Sequence, residues 1–169
     1  MKQKISALFM IVIGVLMFFA VAPTRAQVNK GVELKSVAET DIVVTNAKGE
    51  KETKRIEVTK GNVTPGDTVI FTTYYANNGD NPASGTAIKN PVPLHTIYLD
   101  GTAGGEGATI EFSVDGGKSY GMPKSLHVTD TDGKERLAKA SDYTHIRWTF
   151  NDPLSAGAKG SVFFKAKIK

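Results

Sequence analysis

The chain has no cysteine among its 169 residues, which excludes disulfides, a cysteine-based zinc site and the acylable cysteine of a lipoprotein anchor. Its stability must come from a packed core and hydrogen-bonded ladders. Sustained helical periodicity is also missing, and so are an internal repeat and a Pro- or Ser-rich linker, which argues for one non-helical domain. A strong charge of one sign is lacking as well. The formal net charge is +4, and Lys2, Lys4 and Arg25 all lie in the first 26 residues, which hold no acid. Without those three positive charges the remainder stands at +1. That balance gives no footing for nucleic-acid binding.

What the chain does have begins with an apolar run of 17 residues from Ile5 to Val21, preceded by Lys2 and Lys4 and followed by Pro23. Thr24-Arg25-Ala26 then places a small residue before Gln27. This order is that of a secretory signal, so residues 1–26 are expected to be cleaved after Ala26 and residues 27–169 to form the domain. The expected location is the periplasm or the cell exterior, with no membrane span after cleavage. A retained anchor is the second reading, because the run approaches the ~20 residues that cross a bilayer.

Alternation at period two recurs through the rest of the chain, as in half-buried strands. Ile110, Phe112 and Val114 share one face, as do Ile146, Trp148 and Phe150, and as do Val162, Phe164, Ala166 and Ile168. Lys165, Lys167 and Lys169 mark the wet side of the last. Further strands are expected at 32–38, 42–45, 55–59, 68–76, 86–89 and 96–99. Ala47 to Glu50 is expected to form a hairpin turn, and Lys134 to Ala140 offers the one stretch suited to a helical turn. Turn clusters at 77–82, 101–107, 115–117, 130–133 and 151–153 have the spacing of an all-β sandwich with Greek-key connections.

Pro65-Gly66-Asp67 precedes the strand Thr68 to Ala76. Asn77 and Gly79 follow, then Pro82-Ala83, Asn90-Pro91-Val92-Pro93, and Trp148 ahead of Leu154 to Gly157. In these residues, most of the chain after the signal resembles the bacterial surface-repeat family called domain of unknown function 11, here in a single copy. The resemblance implies an immunoglobulin-like antiparallel β-sandwich of the cell envelope and implies no catalytic residue. The residues that carry it also have physical roles of their own. Pro65 and Gly66 suit the centre of a tight turn, Asp67 can accept from neighbouring backbone donors, and Pro91 and Pro93 mark a strand edge or exit. The strand itself departs from the pattern. Thr73 interrupts the apolar series Val69, Phe71 and Tyr75, while Ile70 and Tyr74 occupy the other face, so either side could be the buried one.

Several short motifs invite chemical readings. Ser113-Val114-Asp115-Gly116-Gly117-Lys118-Ser119-Tyr120 fits the aspartate-box pattern, in which the aspartate ties down its own hairpin. Gly117 to Gly121 also fits a nucleophile elbow with Ser119 at its centre, but Met122 and Pro123 follow where a helix is required. Asp130, Asp132 and Glu135 place three carboxylates within six residues, a set that calcium would accept, although Asp-Gly pairs are common turn formers. His95, His127 and His145 are widely spaced and read as strand or loop residues. Gly101 to Gly107 reads as a mobile loop, and Asn62-Val63-Thr64 as a glycosylation acceptor only in a eukaryotic export path. Trp148 has inward parity and is expected to anchor the core.

The expected role is a non-enzymatic module of the bacterial envelope that presents edge strands or the loops 77–82, 101–107 and 130–135 to an unidentified envelope protein or glycan. No cofactor is expected, and oligomeric state is open. A glycan- or calcium-binding module is the alternative, and a small hydrolase built on Ser119 is a third.

Overall fold

The computed structural model describes residues 31–61 and 63–169; the signal-like segment and Asn62 lie outside the described residues. Over the described residues the chain is all-β and its sheets are antiparallel. In order, the strands are β1 (Val32–Thr45), β2 (Lys51–Glu57), β3 (Thr68–Asn77), β4 (Ala87–Pro91), β5 (Thr96–Tyr98), β6 (Gly104–Gly105), β7 (Ala108–Ser113), β8 (His127–Thr129), β9 (Glu135–Leu137), β10 (His145–Phe150) and β11 (Lys159–Ile168). The larger sheet runs β2-β1-β3-β11-β5, with β6 also paired to β11; a smaller sheet runs β4-β10-β7, and β8 pairs with β9 alone.

Side chains from both larger sheets meet in one core. Ile88 from β4, Phe112 from β7 and Ile146, Trp148 and Phe150 from β10 pack with Tyr98 from β5 and Val162, Phe164 and Ala166 from β11. The inward residues of β10 and β11 are those expected from period-two alternation, and Trp148 is fully buried. The aromatic groups pack pairwise: Phe71 stacks on Phe164 at 5.0 Å, and Tyr75 meets Phe150 edge-on at 4.9 Å. Such geometries suit the ring quadrupoles.

Four expectations are revised. The two strands at 32–38 and 42–45 are one continuous strand, because β3 supports its first part and β2 its second. The strand expected at 55–59 is shifted to Lys51–Glu57, and Val58–Lys60 turn as a 3-10 helix. Lys134 to Ala140 is not helical: Glu135–Leu137 pair with His127–Thr129, and the nearby 3-10 turn starts at Ala140. Finally, Gly101 to Gly107 is no free loop, since Gly104 and Gly105 pair with Phe163 and Val162.

That glycine strap is fixed by close approach on both faces. A Cβ at Gly104 would lie 2.5 Å from the Phe163 ring, and one at Gly105 would lie 2.8 Å from Val162 and 3.0 Å from Trp148. Only residues without a side chain let the strap lie this close to the rings on either side.

At the start of β3 the Pro65-Gly66-Asp67 turn forms as its residues require. Gly66 has φ +100°, the Asp67 N–H donates to the Thr64 carbonyl at 3.0 Å, and the Asp67 carboxylate accepts from the Thr64 N–H and hydroxyl. Along β3, Val69 and Thr73 are buried on the face turned to the smaller sheet, where the half-buried Phe71 and Tyr75 pack against the core; on the other face Ile70 and Thr72 are buried too, while Tyr74 is exposed. The inner face is thus the one that Thr73 interrupts.

Candidate functional site

The aspartate box folds as a self-tied loop. Asp115 accepts from the N–H groups of Lys118 and Ser119 and from the hydroxyls of Ser113 (2.7 Å) and Ser119 (2.6 Å). Hydrogen bonds from Ser119, then that from Ser113, hold its carboxyl well below the usual carboxylate range. Gly116 and Gly117 take positive φ, and Gly121 bridges back to Phe112. Ser113 is fully buried although its parity faces outward, because its hydroxyl is built into this loop and accepts from the Gly117 N–H.

Beyond the loop, Tyr120 lies on the outer face of the smaller sheet. The Arg147 guanidinium sits 4.4 Å from its ring centre and Lys89 Nζ 5.5 Å, while Arg147 also pairs with Glu111 at 2.7 Å. Burial is the leading cause that raises the Tyr120 phenol above its ordinary value. The cluster covers the sheet and leaves Ser119 bonded to Asp115. The segment after it is a 3-10 turn at Pro123–Ser125 rather than the helix that an activated serine needs.

The three sequence-marked loops have different structures. At 77–82, the buried Asn77 amide donates to the carbonyls of Asn81, Leu154 and Ser155, clamping the loop base to the segment before β11. At 101–107 the glycine strap is paired to β11. Residues 130–134 form the tip of the β8–β9 hairpin and Glu135 begins β9; Asp130 pairs with Arg136 at 2.8 Å and Asp132 with Lys134 at 3.2 Å. Arg136 further holds Asp142 at 2.6 Å. Asp130, Asp132 and Glu135 are not brought into one cluster; among the described residues no three His, Cys, Asp or Glu side chains converge to hold a metal. His95 and His127 are exposed and His145 is half-buried.

Among the described residues, part of β1 has an open edge inside the larger sheet. Strand β2 pairs with it only from Glu39 to Thr45, and the chain then turns away at Val58–Lys60. From Val32 to Ser36, β1 is paired with β3 on one side and with no strand on the other among the described residues. The Asn78 N–H donates to the Gly31 carbonyl at 3.2 Å, which makes this a hydrogen-bonded pair. By the alternation of antiparallel ladders, Glu33 and Lys35 then direct their backbone groups to β3, while Val32, Leu34 and Ser36 direct theirs to the open edge.

Side chains at that edge are unusual too. Leu34 shares the inward face with Tyr75, yet 51% of its surface is exposed. Val32, on the same face, packs against the core, whereas Leu34 does not. Beside it, a groove of about 270 Å³ runs between the sheets, lined by Ala38, Phe71, Thr73, Asn90, Pro91 and Phe164 among others. Sequence parity gives the face of Leu34 but not whether the core reaches it.

No family model matches the chain, and neither a curated protein nor a solved structure does so. Among the described residues no helix is long and apolar enough to cross a membrane.

Proposed function

We propose that the chain is a non-enzymatic, exported structural or interaction module of the bacterial envelope, with an immunoglobulin-like β-sandwich and Greek-key connections, and that it engages its partner through an edge strand. The observation that supports this reading is the open β1 edge at Val32 to Ser36, where outward backbone groups adjoin the exposed Leu34. Edge pairing supplies main-chain hydrogen bonds, and neighbouring side chains supply specificity. Membership of the surface-repeat family rests on the turn and strand residues quoted above, and export rests on the signal-like first 26 residues.

The test is co-sedimentation of the purified protein with envelope fractions, using a heat-unfolded sample as control and Leu34→Pro as the edge variant. Proline at this position removes an outward N–H without removing a β1–β3 bond. Specific pelleting lost in Leu34→Pro supports the reading; no pelleting of the native protein overturns envelope binding.

A glycan-binding reading has one observation in its favour. Tyr74 is 48% exposed on the outer face of the larger sheet, beside a surface depression of about 540 Å³ lined by Glu33, Lys35, Asn78 and Lys159. An aromatic face amid hydrogen-bonding groups suits a sugar. Tyr74→Ala should abolish binding to isolated envelope polysaccharide while Leu34→Pro leaves it intact; the reverse pattern removes this reading.

A further inference from the structure

We infer that the occupant of the open β1 edge is a second copy of this chain, joined by antiparallel β1–β1 pairing about a two-fold axis at Leu34. The inference deepens the edge-strand reading above, on which it rests for the use of this surface.

The register follows from the ladder. Within the stretch Val32 to Ser36, Val32, Leu34 and Ser36 offer backbone groups outward, so they must form the hydrogen-bonded pairs with the second copy. Centring the axis on Leu34 pairs Leu34 with Leu34 and Val32 with Ser36 of the other copy. It also sets Glu33 opposite Lys35, and Lys35 opposite Glu33, at the closely spaced non-hydrogen-bonded positions. Opposite charges facing each other across strands are favourable there and like charges are not. The two Leu34 side chains meet on the inner face and cover each other's exposed surface.

Neighbouring registers fail on the same side chains. An axis centred on Lys35 opposes two lysines, and one centred on Ser36 opposes Glu33 with Glu39. Of these three registers, only the one centred on Leu34 sets unlike charges opposite each other. Glu33 retains capacity for the new pair, since only its Oε2 is engaged, by Asn78 at 2.7 Å.

The geometry of the row also fits. Strand β2 already occupies the same side of β1 beyond Glu39, so the second copy's strand takes the half of that side that no described strand occupies. Three other edges are more heavily protected than Val32 to Ser36, which carries only Glu33 and Lys35 as charges. The β2 edge carries Lys51, Glu52, Lys54, Arg55 and Glu57 with five of its seven residues exposed and charged; β4 ends at Pro91; β5 is three residues long. Val32 to Ser36 has neither proline nor bulge.

The experiment is sedimentation equilibrium on the protein produced from the full-length sequence, with its N-terminus read by mass spectrometry. Native protein should show a concentration-dependent monomer–dimer equilibrium. Lys35→Glu, which opposes Glu33 to a glutamate twice per dimer, should weaken it at least about tenfold, and so should Glu33→Lys. The double exchange Glu33→Lys/Lys35→Glu should restore it, and mixing the two single variants should give a heterodimer. That mixing result keeps the test independent of any folding defect. A monomer at every concentration, or a dimer indifferent to all of these exchanges, overturns the inference. A native monomer whose envelope pelleting is still lost in Leu34→Pro would refute the second copy while leaving the edge-strand reading standing; a monomer that does not pellet would remove both.

Discussion

The Asn90 side-chain amide donates to the Thr73 hydroxyl at 2.8 Å, joining the smaller sheet to the larger one across the core, and Thr73 in turn lies 2.9 Å from the Ser36 hydroxyl. Thr73 is 2% exposed, so its hydroxyl has exchanged water for these two partners. A threonine in an otherwise apolar inward series is thereby explained: it is a satisfied polar contact between β1, β3 and β4. Thr73→Val, which keeps the shape and removes the acceptor, should cost about 1–3 kcal/mol because Asn90 is left part-buried without a partner. Adding Asn90→Leu to that variant should recover part of the loss. Urea denaturation midpoints of the two single variants and the double variant check the coupling; full additivity would disprove it.

Tyr75 covers Gly160 on the neighbouring strand, and a Cβ at Gly160 would stand 2.6 Å from the ring carbon that bears the hydroxyl. Gly160→Val must displace the ring and its edge-on contact with Phe150, at about 1–3 kcal/mol for overpacking. Gly31→Ala, with open space around the new carbon, should change stability by no more than about 0.5 kcal/mol. Equal melting temperatures for the two variants would contradict this packing account.

Much of the core was legible because period-two alternation acts locally. Ile146, Trp148 and Phe150, and likewise Val162, Phe164 and Ala166, are buried as their parity demands. The Pro65-Gly66-Asp67 turn and the aspartate loop were equally legible, since each satisfies its own backbone from within a few residues. What was hidden depends on distant partners. Gly104 and Gly105 read as a loop because nothing in Gly101 to Gly107 announces the aromatic rings that receive them. The exposure of Leu34 was hidden too, because parity gives the face of a strand but not which of its residues the core reaches. At 130–135 the carboxylates read as candidate ligands, whereas Arg136, one residue further on, takes Asp130 and Asp142.

Asp142 gives the fold a pH dependence. Its hydrogen bond to Arg136 is the largest influence on the carboxyl, ahead of burial, and holds it below its ordinary value of 3.8. A carboxyl depressed in the folded state contributes stability that is present above the unfolded value and is lost as pH falls through the folded one. Asp142→Asn should therefore cost about 1 kcal/mol at pH 7, discounted for partial solvent screening. The difference from the native protein should shrink steadily below about pH 4. Thermal melts of both proteins between neutral and acid pH test the sign, and a gap that widens on acidification would refute it.

Asn77 makes the sharpest demand on side-chain chemistry. It is 2% exposed; its Nδ2 faces the carbonyls of Asn81, Leu154 and Ser155 at 2.8–3.1 Å, and its Oδ1 accepts from the Gly79 N–H. Asn77→Ala strips the donor from part-buried carbonyls and should cost about 2–3 kcal/mol. Asn77→Asp is nearly isosteric, but replaces the donor with a carboxylate oxygen aimed at three carbonyl oxygens, and should be at least as damaging at pH 7. If shape alone held the 77–82 loop, the aspartate variant would be the milder one. Amide hydrogen exchange at Gly79 and Ala83, read beside the melting temperature, separates the cases: both variants should speed exchange there, and a protected loop in the aspartate variant would show that the amide is not the clamp.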